Sequence, residues 1–129
     1  MKILIRDENL TGKVAHEFQL EVETSTISIR ELIRSRIYEE VKIFNSNLNM
    51  PYMGLVQPGA EELLLNPARS NGLKLKDAAE QAAIALKAFV NNGFILLVDK
   101  KQYSDPDSMI SLQPGSIVSF IKLTPLVGG

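Results

Sequence analysis

Apolar and polar positions along this chain change period several times, and each change predicts an element. Lys2-Ile3-Leu4-Ile5-Arg6 is a short apolar run with charged ends, the pattern of a buried strand. Asp7 to Lys13 carries turn chemistry, with Gly12 able to take a positive φ. Phe18, Leu20 and Val22 then alternate with Gln19, Glu21 and Glu23, which predicts a second, half-exposed strand forming a hairpin with the first. The period next switches to helical. Ser28 and Glu31 have the spacing of a capping box, with Ile27 set to staple onto Leu32. Ile29, Leu32, Ile33, Ile37, Val41 and Phe44 form one apolar stripe at three- and four-residue steps, and Arg30, Arg34, Glu39, Glu40 and Lys42 take the other side.

After Phe44 the periodicity weakens. Asn45 to Gly72 holds Pro51, Pro58 and Pro67 between apolar pieces, Met50 to Val56 and Leu63 to Leu65. It is too apolar for a disordered linker and reads as an ordered excursion, with a short helical turn at Ala60 to Leu65. A second helix follows from about Lys76 to Asn91. Asp77 lies in its first turn, Leu75, Ala78, Ala79, Ala82, Leu86 and Phe89 give its buried side, and Gly93 stops it. Phe94 to Asp99 is nearly all apolar and reads as the central strand of the sheet. Lys100 to Tyr103 turns the chain, Ser104 to Asp107 is a loop, and Met109, Ile110 and Leu112 return to the core. Pro114-Gly115 is a tight turn into a last strand, Ser116 to Leu123.

This order predicts an α+β roll, a mixed sheet packed on one helix with the final strand beside the first. It also predicts one domain over residues 1–123 with an insertion at about 46–93. Residues 124–129 then form a flexible tail. The 129 residues are enough to bury a core without covalent staples.

Composition narrows the chemistry more than it suggests any. With 14 basic and 15 acidic residues the net charge is −1, which gives no general attraction to nucleic acid or an anionic membrane. There is no cysteine, so disulfides, thiolate metal sites and thiol nucleophiles are excluded. The amino terminus lacks a signal-peptide core and no run is long enough to cross a membrane, which predicts a soluble, cytoplasmic protein. His16, the one histidine, falls at the first turn and reads as solvated, with no serine–histidine–aspartate set around it. Asp99, Asp105 and Asp107 lack the glycine and terminal glutamate of a calcium loop. Gly12-Lys13 lacks the upstream glycine of a phosphate loop, and Asn9-Leu10-Thr11 is a chance match to a glycosylation sequon. Glu39-Glu40 and Glu61-Glu62 read as solvated faces. No metal, cofactor or enzymatic role is expected.

The chemistry that does stand out is terminal. Thr124-Pro125-Leu126-Val127-Gly128-Gly129 has no charged side chain. Pro125 holds itself and Thr124 extended, so the segment projects from the body and reaches about 20 Å. Gly128 and Gly129 lack Cβ atoms and can enter a slot closed to other residues. A slim, reachable carboxylate suits an enzyme that activates a protein C-terminus.

These segments resemble ubiquitin. Leu10-Thr11-Gly12-Lys13 followed by Leu20-Glu21-Val22-Glu23 is similar to its first hairpin, with a longer arm between. Leu96 to Asp105 resembles its central strand and lysine-bearing turn, and Ser116 to Leu123 with Gly128-Gly129 resembles its last strand and tail. Asn45 to about Gly93 has no counterpart there. The tail is also similar to those of the sulfur carriers of molybdopterin and thiamine synthesis. With its insertion and the Gly54-to-Pro58 segment, the whole chain looks most like the bacterial ubiquitin-like proteins found beside activating-enzyme, conjugating-enzyme and JAB-type protease genes.

The resemblance implies a ubiquitin-like β-grasp roll and a protein modifier. An activating enzyme would adenylate the Gly129 carboxylate and take it as a thioester on its own cysteine, and a conjugating enzyme would pass it to a lysine of a target protein. It implies Gly128 and Gly129 as the reactive end, Pro125, Leu126 and Val127 as tail contacts, Leu10, Leu97 and Ile121 as an apolar partner-binding patch, and Lys101 as a candidate acceptor lysine. Ubiquitin carries arginines where this tail has Thr124, Pro125, Leu126 and Val127, which favours an apolar groove on the activating enzyme. Two alternatives stay open. One is a sulfur carrier bearing a thiocarboxylate on Gly129. The other is a non-catalytic binding or assembly module.

Overall fold

The computed structural model describes residues 1–46, 55 and 76–123. The tail residues 124–129, the Ala60-to-Leu65 turn, Leu75 and most of the proline-rich excursion lie outside them. The strands are β1 (Lys2–Glu8), β2 (Val14–Glu21), β3 (Thr26–Ser28), β4 (Phe94–Val98), β5 (Lys101–Tyr103), β6 (Met109–Ser111) and β7 (Ile117–Lys122). Helix α1 (Ile29–Ser46) follows β3 and helix α2 (Ala78–Val90) precedes β4. Among the described residues the fold is α+β: a mixed five-stranded sheet in the order β2-β1-β7-β4-β5, a two-stranded β3-β6 ribbon, and two helices.

The final strand does lie beside the first, parallel to it, while β1–β2, β4–β7 and β4–β5 are antiparallel. It takes the middle of the sheet. Phe94–Val98, expected at the centre, sits one place out, flanked on both sides. Its apolar run does not distinguish these positions, because any strand paired on both edges and packed on one face favours the same residues.

Period-2 alternation sets the faces. Ile3 lies opposite Leu20, Ile5 opposite Phe18 and Val118, and Phe120 between Asp7 and Leu96. Ile3, Ile5, Leu20, Val118, Phe120 and Leu96 form the inner face, each 3% exposed or less. The α1 stripe of Ile29, Leu32, Ile33, Ile37 and Val41 covers it, and α2 packs along α1 through Ala82, Ala85 and Phe89. Small alanines allow that close approach. Ala79, expected on the buried side, is exposed, and Ala85 takes its place one turn and a half later.

The helix ends are chemically specified. Ser28 Oγ accepts from the Glu31 amide at 3.1 Å, as the capping spacing predicts. Asp77 is the N-cap of α2 rather than a first-turn residue, accepting from the Ala79 and Glu80 amides. At the other end Gly93 N–H donates to Ala88 O at 2.7 Å and Asn92 N–H to Phe89 O at 3.1 Å, a Schellman pair. Asn92, with φ of 60°, takes the left-handed position expected of Gly93. At Gly93 the constraint is space instead, since a Cβ there would lie 3.0 Å from Ala88 O, a tight contact.

Two expected loops are shorter than the sequence suggests. Asp7 and Glu8 continue β1, and β2 starts at Val14, so His16 lies in a strand opposite Asp7, across a bulge from the turn. Lys101–Tyr103 is the strand β5, and the turn before it is only Asp99-Lys100, both at positive φ. Of the three residues expected to return to the core, Ile110 and Leu112 are buried but Met109 is 60% exposed.

Candidate functional site

The outer face of the sheet follows from the same registers. Ile95 lies opposite Ile121, Leu97 opposite Ser119, and Ile117 opposite Leu4. These side chains point away from α1, and the apolar ones are half-buried. Ile121 and Leu97 are therefore diagonal neighbours on one face of adjacent antiparallel strands, within reach of a shared contact. On the other side Glu8 lies opposite Ile121. The β1–β2 turn leaves from that end, and its Leu10 is 62% exposed. Gly12, at φ of 86°, and the Asn9 side chain, which accepts from the Thr11 and Lys13 amides, hold this turn. Of the three patch residues, Ile121 lies at the end of the sheet where the Leu10 turn leaves, and Leu97 lies one diagonal step farther from it, level with Ser119 and Arg6. Arg6 and Glu17, paired at 2.7 Å, border the apolar area.

The last described residue, Leu123, leaves from the same end, because β7 runs parallel to β1 from Leu4 toward Glu8. Gly128, Gly129, Pro125, Leu126 and Val127 lie outside the described residues. Lys101 is exposed at the β4–β5 turn with its Nζ 5.3 Å from the Tyr103 ring centroid. At the opposite end of the sheet an open groove of about 820 Å³ runs between α1 and the chain leaving β2. Glu21, Glu23, Glu31 and Glu39 border it, with Lys42 and Lys76.

Inside the body lies a feature the sequence reading missed. Arg36 and Asp7 are 0% and 1% exposed. The guanidinium donates Nη1 and Nη2 to the two Asp7 oxygens, the second at 2.7 Å, and its Nε to Glu40 Oε1. It also lies 4.5 Å from the Phe120 ring centroid. Burial alone would lower the Arg36 pKa, but the hydrogen bond to Asp7 and the charges of Glu40 and Asp7 reverse this, and it ends above the ordinary arginine value. For Glu40 burial wins: it raises the carboxyl, and Arg36 and the Leu55 amide only partly pull it back. Glu40 is therefore not on a solvated face, as its pairing with Glu39 suggested. Two signals carried this. Arg36 falls at stripe spacing from Leu32 and Ile33, and Asp7 continues the Ile3, Ile5 alternation onto the inner face.

Among the described residues no three His, Cys, Asp or Glu side chains come together to hold a metal ion, and no helix is long and apolar enough to cross a membrane. No protein-family model matches the chain, and a search of curated proteins finds no match either.

Proposed function

We propose that this chain is a ubiquitin-like protein modifier, a β-grasp roll with an insertion after its first helix, whose Gly129 carboxylate is activated for attachment to other proteins. The observation that supports it is a combination. A strand parallel to β1 fills the middle of the sheet, and the chain beyond it runs through Pro125 to Gly128-Gly129. The strand that delivers the terminus is held on both edges, so the body can act as a rigid grip while an enzyme works on the end.

The chain then serves as substrate. The Gly129 carboxylate attacks the α-phosphate of ATP, pyrophosphate leaves, and an acyl-adenylate results. A cysteine of the activating enzyme displaces AMP and holds the acyl group as a thioester, since this chain contains no cysteine. An amine, typically a lysine of a target protein, displaces the thiol through a conjugating enzyme, and a JAB-type protease reverses the bond. Leu10, Leu97 and Ile121 make the apolar contact with these partners, and Pro125, Leu126 and Val127 line the way to the adenylation site. Lys101 is available as an acceptor.

The test is ATP–pyrophosphate exchange with an adenylating enzyme of the activating class, ATP and magnesium. The full chain supports exchange and yields a thioester that thiol reagents cleave. A chain lacking Gly128-Gly129 does neither. Intact mass distinguishes a sulfur carrier, which gains about 16 Da by exchanging oxygen for sulfur at its terminus. No exchange with any such enzyme overturns the proposal.

A further inference from the structure

Helix α2 buries Ala82, Ala85 and Phe89 and turns its opposite face to solvent. That face carries Ala79, Glu80, Ala83, Ile84, Lys87 and Val90, all exposed. Ile84 and Val90 are 41% and 60% exposed, large apolar side chains that the body leaves open. The helical period sets Ala79, Ala83 and Val90 along one flank of the face and Ile84 along the other, with Glu80 and Lys87 between them. Glu80 and Lys87 lie two turns apart, about 10 Å along the axis. Among the described residues neither enters an ion pair.

The order along this face is matched to itself. Its midpoint falls between Ala83 and Ile84, with Glu80 as far to one side as Lys87 is to the other. Turned end for end onto a copy of itself, the face sets each Glu80 against Lys87 of the second copy. The same rotation brings Ile84 to Ile84 and Ala83 to Ala83 beside the two-fold axis, and Val90 over Ala79. The alanines let the two backbones approach, and no like charges meet. A parallel pairing would instead put Glu80 on Glu80 and Lys87 on Lys87. A purely basic or purely acidic partner would match only one end of the face, whereas a second copy matches both.

We propose that the exposed face of α2 is a self-association surface, on which two copies of this chain pair antiparallel about a two-fold axis between Ala83 and Ile84. One face of a 13-residue helix is small. Two such faces bury less than the roughly 1,200 Å² at which stable interfaces begin, so the dimer is weak and forms at high concentration or where copies are held close together. The inference stands apart from the proposed modifier role, since it uses neither the tail nor the outer face of the sheet.

The experiment is sedimentation velocity of the whole chain from about 10 µM to about 1 mM, with thermal melts of the same proteins as reference. The natural chain is expected to pass from monomer toward dimer across that range, and less so at high salt. Glu80→Lys alone and Lys87→Glu alone each set like charges against one another twice, and each is expected to weaken dimerisation at least about tenfold. Mixed in equal amounts, these two variants bring opposite charges together at both places and form a heterodimer. Ile84→Gln leaves the charges alone and removes the central apolar contact, weakening the dimer by a similar factor with the melting temperature little changed. A natural chain that stays monomeric throughout the range overturns the proposal. So does a mixture that stays monomeric although both variants melt like the natural chain. A dimer that survives Ile84→Gln and both charge reversals overturns it too, because the copies would then meet elsewhere.

Discussion

Asp7 Oδ2 and Arg36 Nη2 meet at 2.7 Å inside the core, one from the end of β1 and the other from the middle of α1. Removing one member strands the other without solvent. Asp7→Ala is expected to cost about 3–5 kcal/mol in urea unfolding. Replacing the network together, as Asp7→Leu, Arg36→Met and Glu40→Gln, is expected to recover most of that loss, because a packed apolar core needs no ionic compensation.

Glu40 gives the sign of one pH effect. Its carboxyl is raised in the folded chain, by burial first, so over the range just above the ordinary glutamate value the folded state binds a proton that the unfolded chain has released. Stability therefore falls as pH rises through that range. The expected outcome is that the unfolding free energy of the natural chain, relative to Glu40→Gln, increases as pH is lowered from neutral toward the ordinary glutamate value. Urea titrations of both proteins at stepped pH read this difference directly, and other groups cancel from it.

The β4–β5 turn should respond in opposite directions at neighbouring residues. Lys100 holds φ of 76° without being glycine. Lys100→Gly is expected to stabilise by about 0.5–1 kcal/mol by removing that strain, net of the flexibility glycine adds to the unfolded chain. Asp99 accepts from the Ile117 amide and from Ser116 Oγ, each at 2.9 Å, tying the turn to the start of β7. Asp99→Ala is expected to lose about 2 kcal/mol. Thermal melts of both variants check the pair.

Charge placed on the outer face separates binding from folding. Leu97 and Ile121 are half-buried and point away from α1. On the proposed modifier role, Leu97→Glu and Ile121→Arg are each expected to change stability by about 1 kcal/mol or less while weakening association with an activating enzyme at least tenfold. Calorimetric titration against that enzyme, beside a melt of each variant, measures both quantities.

The stripe from Ile29 to Val41, the Ser28 cap and the alternation of Phe18 and Leu20 are local patterns, and the sequence displays them openly. What it hid came from pairs distant along the chain. Arg36 falls at the apolar stripe spacing of α1 but carries a charge, and only the register that brings Asp7 onto the inner face gives that charge a buried partner. The Asp99-Lys100 turn lacked an asparagine–glycine signal because side-chain hydrogen bonds to β7, rather than intrinsic preference, hold its left-handed geometry. Of the candidate patch, strand alternation gave the outward direction of Leu97 and Ile121. That the turn bearing Leu10 lies at the Ile121 end depended on the length of β2, which begins four residues before its first clear apolar position, Phe18.

The position of β7 has a consequence for how the chain is made. Until residues 117–122 emerge from the ribosome, β2–β1 and β4–β5 can form only two separate ribbons. The inner edge of each, along Ile3 to Asp7 and along Phe94 to Val98, then offers unsatisfied amides and carbonyls to any passing polypeptide. β7, the last described strand to be synthesised, closes both edges in one event. A nascent chain halted before β7 carries two sticky borders, and chaperone protection until residues 117–122 are made matters more for this topology than for a sheet assembled in sequence order.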